Sequence, residues 1–289
     1  MPVGAKTLPD AEAETEDMKA IDARTLHAGI ETAGGIDLVD AGLHLPDRDA
    51  LAASARDGGE RSQALARLLI RRMDLTGTAA AMISLPAPAL LCDVEWVVTR
   101  APARLRAVVP GNAWLDAGSL ADMARRGVAA VSIDGADLAA AGQTAVGALM
   151  RRLGAFGLHL QLCGAEAHLA LPFALGHAVP VLMDYRIGAE PHNEAPAEIA
   201  SGGHADLWLR LRLCEDASPP VLERAARRLR AHCPQRMVWG GGSAGPGAIL
   251  AALPILIPDG AALAGVLGGN ARWLAFGAAL DWDEFGDAA

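Results

Sequence analysis

Eight short apolar runs, separated by longer stretches of helical spacing, constrain this chain more than any single motif does. They fall at 36–42, 79–85, 105–110, 128–133, 158–162, 180–184, 207–213 and 236–240. Short runs of consecutive apolar residues suit strands that are buried on both faces, as in a parallel sheet covered by helices. Between them, spacings such as Arg61, Ala64, Leu65, Leu68, Leu69, Arg72 and Val221, Ala225, Leu229 predict helices with one apolar face.

A repeated junction supports this alternation. Arg71-Arg72 with Gly77 precedes the second run, Arg125-Arg126-Gly127 the fourth, and Arg151-Arg152 with Gly157 the fifth. Cations in a last turn complement the helix dipole, and glycine supplies the left-handed residue that stops the helix. Eight strands alternating with helices in 289 residues predict an α/β chain folded as a closed (β/α)8 TIM barrel. An open doubly wound sheet is the rival, and its nucleotide-binding form needs an early glycine fingerprint. The dense glycine cluster, Gly240-Gly241-Gly242-Ser243-Ala244-Gly245, instead follows the last run and has no lysine after it. It reads as a flexible turn, with anion binding at the following helix as the alternative. The expected organisation is one barrel domain over 35–289 behind an acidic, flexible N-terminal arm over 1–34.

With 52% hydrophobic and 20% charged residues, the chain has the composition of a soluble globular protein with a large core. A net charge of -9 makes nucleic acid and anionic membrane surfaces poor partners. The N-terminus lacks the apolar stretch of a signal peptide, and the apolar stretch 250–268 is broken by Pro254, Pro258 and Asp259, so no bilayer span is expected. Cys92, Cys163, Cys214 and Cys233 form no C-x-x-C pair and are expected to be reduced, mostly buried thiols of a cytoplasmic protein.

In a barrel of this kind, chemistry belongs to the C-terminal strand ends. The first strand delivers Asp40, Gly42 and His44; a histidine at 42 would complete half of a metal site, and Gly42 leaves His44 alone. The fifth places His159 and Gln161 on one face and leucines on the other, so His159 is either an acid–base group or a hydrogen-bonded structural residue. The sixth ends in the only tyrosine, Tyr185, which shares a face with Val181 and Met183; it is a proton donor or a core residue. The seventh alternates Arg210 and Arg212 with leucines. These arginines either grip an anion such as a carboxylate or pair internally with Asp134 or Asp184. The eighth brings no acid.

Taken in order, these segments resemble the amidohydrolase-related family of TIM-barrel metal-dependent hydrolases, in the branch of 2-pyrone-4,6-dicarboxylate hydrolase and related lactonases. The resemblance covers 35–277. Asp40-Ala41-Gly42-Leu43-His44 is similar to the family's D-x-H-x-H, Gly127 to Asp134 to its G-V-R-G-V-R-F-N, and Gly157 to Leu162 to its G-W-H-V-Q-L. Val181 to Gly188 resembles V-I-D-H-M-G, Trp208 to Leu213 resembles W-V-K-L-S-G, Pro234 to Gly242 resembles P-D-R-L-V-W-G-T-D, and Gly269 to Gly277 resembles N-P-A-R-L-Y-G-F. It implies hydrolysis of a lactone, amide or related bond, with a strand-eight acid activating water and, in some members, a divalent metal. Gly42, Tyr185 and Gly242 stand where the family implies His, His and Asp, and Ser132 where it implies a substrate-binding arginine. No catalytic zinc and no other cofactor is therefore expected.

Two readings follow. In the first, a metal-free hydrolase acts on a small carboxylated molecule: His44 and His159 are acid and base, Tyr185 donates a proton, and Asp134 substitutes for the missing acid. Arg210, Arg212, Ser132 and Gln161 then bind the substrate. In the second, the barrel is catalytically silent and binds a metabolite or supports an active paralogue subunit; a homo-oligomer suits either. A cofactor-free decarboxylase or isomerase is a third, weaker reading.

Overall fold

The computed structural model describes residues 37–44, 60–85, 91–164, 166–188, 204–229, 234–241 and 245–277. The arm over 1–34, Gly242 and the His44 side chain lie outside the described residues. Strands and helices alternate as β1 (Leu38–His44), α1 (Glu60–Leu75), β2 (Thr78–Ser84), α2 (Leu91–Val98), β3 (Leu105–Pro110), α3 (Ala117–Arg125), β4 (Val128–Asp134), α4 (Gly135–Ala155) and β5 (His159–Cys163). There follow α5 (Leu171–Ala174), β6 (Val181–Ile187), β7 (Leu207–Leu213), α6 (Pro219–Leu229), β8 (Met237–Trp239), α7 (Gly245–Leu256), α8 (Gly260–Ala264) and α9 (Asn270–Phe276). A π turn at Gly265–Gly269 joins the last two helices.

The eight strands form one sheet in sequential order, each parallel to the next. This is the (β/α)8 barrel that the apolar runs predict. The junction glycines Gly77, Gly127 and Gly157 all have positive φ, at 66°, 86° and 66°, the conformation that stops a helix and that L side chains avoid.

Strand alternation divides the core in two. Ile83, Leu105, Val109, Val131, Leu160, Met183, Leu209 and Trp239 belong to the outer apolar layer, between sheet and helices. Val39, Ala41, Ala80, Met82, Val108, Ala130, Leu182, Trp208 and Val238 form a separate inner set with Ala271, Leu274 and Ala275 of α9. The last helix thus closes the N-terminal end of the barrel. Trp273 stacks on Trp208 at 5.2 Å, and the Arg106 guanidinium lies 4.2 Å from the Phe276 ring centre.

The ladder runs from β1 round to β8, and among the described residues the β8–β1 seam is joined by side chains instead. Asp40 Oδ1 accepts the Gly42 amide at 2.8 Å and the Gly241 amide at 3.3 Å. Arg210 of β7 reaches the Ala41 carbonyl of β1 at 2.8 Å, and Arg212 ties the segment after β8 back to β7 by donating to the Gly241 carbonyl at 3.1 Å. The two thiols among the described side chains depart from expectation: Cys163 is exposed, because it ends β5 at the open C-terminal side, and Cys214 is half-buried. No helix among the described residues is long and apolar enough to cross a membrane.

Candidate functional site

Alternation on β6 and β7 decides what enters the lumen. Leu182 and Trp208 belong to the inner set, so Asp184, Arg210 and Arg212, at steps of two, face inward with them. Asp184 lies opposite Arg210 in the strand register, and the two are bonded, Nε to Oδ1, at 2.6 Å. The other carboxylate oxygen accepts Arg212 Nη1 at 2.8 Å. One carboxylate therefore bridges two guanidinium groups, which settles the arginine pair's internal partner as Asp184 rather than Asp134. Burial works to raise the Asp184 pKa, and Arg210 and Arg212 overcome it and hold the carboxyl below its ordinary value.

The network continues downward. Arg210 Nη1 also donates to Gln161 Oε1 at 3.1 Å, and Gln161 Nε2 lies 3.3 Å from His159 Nε2. Since the amide nitrogen can only donate, that imidazole nitrogen accepts, and the ring proton belongs on Nδ1. Nδ1 is buried with no well-formed hydrogen bond, although the backbone of Ala129 and Leu274 lies beside the ring. Burial first, and the Arg210 charge second, push the His159 pKa down to about 3. At neutral pH His159 is an uncharged ring, only 2% exposed and beneath the arginine.

The other expected residues are placed as follows. Asp134 ends β4 half-buried, and its Oδ1 caps α4 by accepting the Ala136 amide at 2.9 Å. Gly164, with φ 88°, packs against that carboxylate so closely that a Cβ would lie 2.2 Å from Oδ2. Ser132 is half-buried, its hydroxyl 3.6 Å from Cys163 Sγ at the mouth. The backbone of His44 ends β1 opposite Ser84. Tyr185 is not brought to this site: it is 3% exposed in the outer layer with Val181 and Met183, so its ring faces the helices. The grouping of those three was legible; which layer they enter was not.

Two carboxylates without an expected role in catalysis or ligand binding are also placed, Asp184 being expected only as a candidate internal partner of the arginines. Asp184 is the shared anion. Asp40 is buried at the β8–β1 seam, and burial raises its pKa against the opposing pull of the Gly42 and Gly241 amides and Arg210. The signal for Asp184 was its fixed offset of two from Leu182 on an otherwise apolar strand.

The donor set does not fit the divalent metal that the resemblance implies for some members. The β-carbon of a histidine at 42 would lie 3.1 Å from Arg210 Cδ, and His159 Nε2 is engaged by Gln161. Among the described residues no group of three His, Cys, Asp or Glu side chains is placed to hold an ion.

No protein-family model and no curated protein matches the chain. Solved structures do. A probable 2-pyrone-4,6-dicarboxylic acid hydrolase of Acinetobacter baumannii, with citric acid bound, matches with a TM-score of 0.63 at 12% identity, over 83% of this chain and 99% of that one. A protein of Pseudomonas putida with the same provisional designation matches with a TM-score of 0.61 at 19% identity, over 83% and 97%. An Agrobacterium tumefaciens protein in its apo form matches with a TM-score of 0.57 at 18% identity, over 83% and 96%. At these identities the likeness is one of fold, the (β/α)8 barrel.

Proposed function

We propose that this chain binds a small carboxylated molecule at the C-terminal mouth of the barrel, through the guanidinium groups anchored by Asp184, without metal-assisted hydrolysis. The observation that carries this reading is the bridge itself: two arginines meet one carboxylate in the lumen, and Arg212 retains 22% side-chain exposure. Guanidinium groups pre-set in a fork recognise carboxylates with little ordering cost. The citric acid in the A. baumannii structure supports a ligand of this class. The acid–base pair that a hydrolase would need is not assembled among the described side chains. His159 is a neutral ring below Arg210, and Tyr185 faces the other layer.

One placement favours the second reading, a lactonase-like hydrolase of a carboxylated substrate: the half-buried Asp134 stands at the end of a strand, where a water-activating base belongs. A panel of small carboxylates and carboxylated lactones separates the two. Binding predicts that carboxylates raise the melting temperature while no lactone is turned over. Turnover that disappears in Asp134→Asn, which keeps the helix cap, would overturn the binding reading in favour of hydrolysis.

A further inference from the structure

The stem of Arg210 runs between two glycines. A Cβ on Gly42 would lie 3.1 Å from Arg210 Cδ and 3.4 Å from its Nε; one on Gly240 would lie 2.9 Å from Cδ and 3.2 Å from Cγ. Neither glycine is among those with positive φ, so backbone conformation does not require glycine at either place. Space does. Both ends of the stem are fixed, the backbone by the β6 and β8 ladders and the guanidinium by Asp184, the Ala41 carbonyl and Gln161. The chain cannot yield to a new methyl group without giving up some of those bonds.

We propose that Gly42 and Gly240 are positioning residues: their missing side chains admit Arg210 to the lumen and fix its guanidinium as a tethered cation below the mouth. In that place Arg210 orients Asp184, and Asp184 in turn orients Arg212 toward the ligand. The use of this cation rests on the carboxylate-binding reading above; its placement does not. Gly42 is thus a substitution with a consequence of its own, since the room left by the absent side chain is taken by a charge from β7.

The test uses the full chain and two independent readouts. The first is the Arg210 Nε–H resonance, assigned by its loss in Arg210→Lys, which a guanidinium held by Asp184 protects from solvent exchange. Gly240→Ala and Gly42→Ala should broaden or shift that resonance and weaken citrate binding by about tenfold or more. The second is a melting-temperature cycle. Overpacking should make Gly240→Ala cost roughly 3–10 °C in the parent chain, and less than about a third of that in an Arg210→Ala background.

An unchanged Nε–H signal in both alanine variants, or an equal melting loss in the two backgrounds, would overturn the proposal. A signal that responds as expected in a protein that does not bind citrate would sustain the positioning role and overturn the carboxylate reading alone. Should Gly240→Ala not fold, Gly42→Ala, with its longer contact, gives the same readouts.

Discussion

From β1 to β4 the middle of the lumen receives Val39, Ala41, Ala80, Met82, Val108 and Ala130, whereas from β5 to β7 it receives His159, Gln161, Asp184, Arg210 and Arg212. The first half is filled by close contact. The second is filled by polar groups that burial makes costly, and its three charged ones, Asp184, Arg210 and Arg212, are met by fixed partners. Apolar residues of similar volume would fill the second half at least as stably, so the difference teaches that stability alone does not explain the ions. They hold guanidinium groups at the mouth.

The largest expected effect breaks the polar half. Asp184→Ala leaves Arg210 buried without its carboxylate and should destabilise the fold by about 3–5 kcal/mol in chemical denaturation. Replacing the network as a unit, Asp184→Leu with Arg210→Met and Arg212→Leu, should change stability little or raise it by about 1–4 kcal/mol while removing carboxylate binding. A large loss from the triple change would show that the ions serve the fold.

On the apolar half, Met82→Ala should cost about 2–4 kcal/mol by opening a cavity, with citrate affinity unchanged. A smaller effect concerns His159. Its folded pKa of about 3 lies below the ordinary 6.5, so the folded state binds fewer protons than the unfolded chain between those values. Stability is therefore lost as pH falls from 6.5 toward 3. His159→Gln should flatten that loss by on the order of 1 kcal/mol per pH unit, measured as unfolding free energy at pH 7 and pH 5. Ser132→Ala, at the edge of the mouth, should stay within about 0.5 kcal/mol of the parent.

The fold was legible because its signals are local and repeated: apolar runs at β2, β3, β4 and β7, and glycines at 77, 127 and 157 that the structure finds with positive φ. The site was legible only in part. Faces follow from alternation, so Arg210 with Arg212 and His159 with Gln161 could be grouped. Whether a face meets lumen or helices depends on register across strands, and this separates Asp184 from its neighbour Tyr185. The seating of Arg210 between Gly42 and Gly240 joins β7 with β1 and with the residue after β8, which no local pattern encodes.

The central claim is that the mouth arginines bind a carboxylate, and a calorimetric titration of citrate into the parent chain and Arg212→Gln at low salt tests it most directly. The account predicts one site in the parent chain, weakened by added salt and at least about tenfold weaker in the variant. No binding to the parent chain, or equal affinity for both proteins, would contradict it.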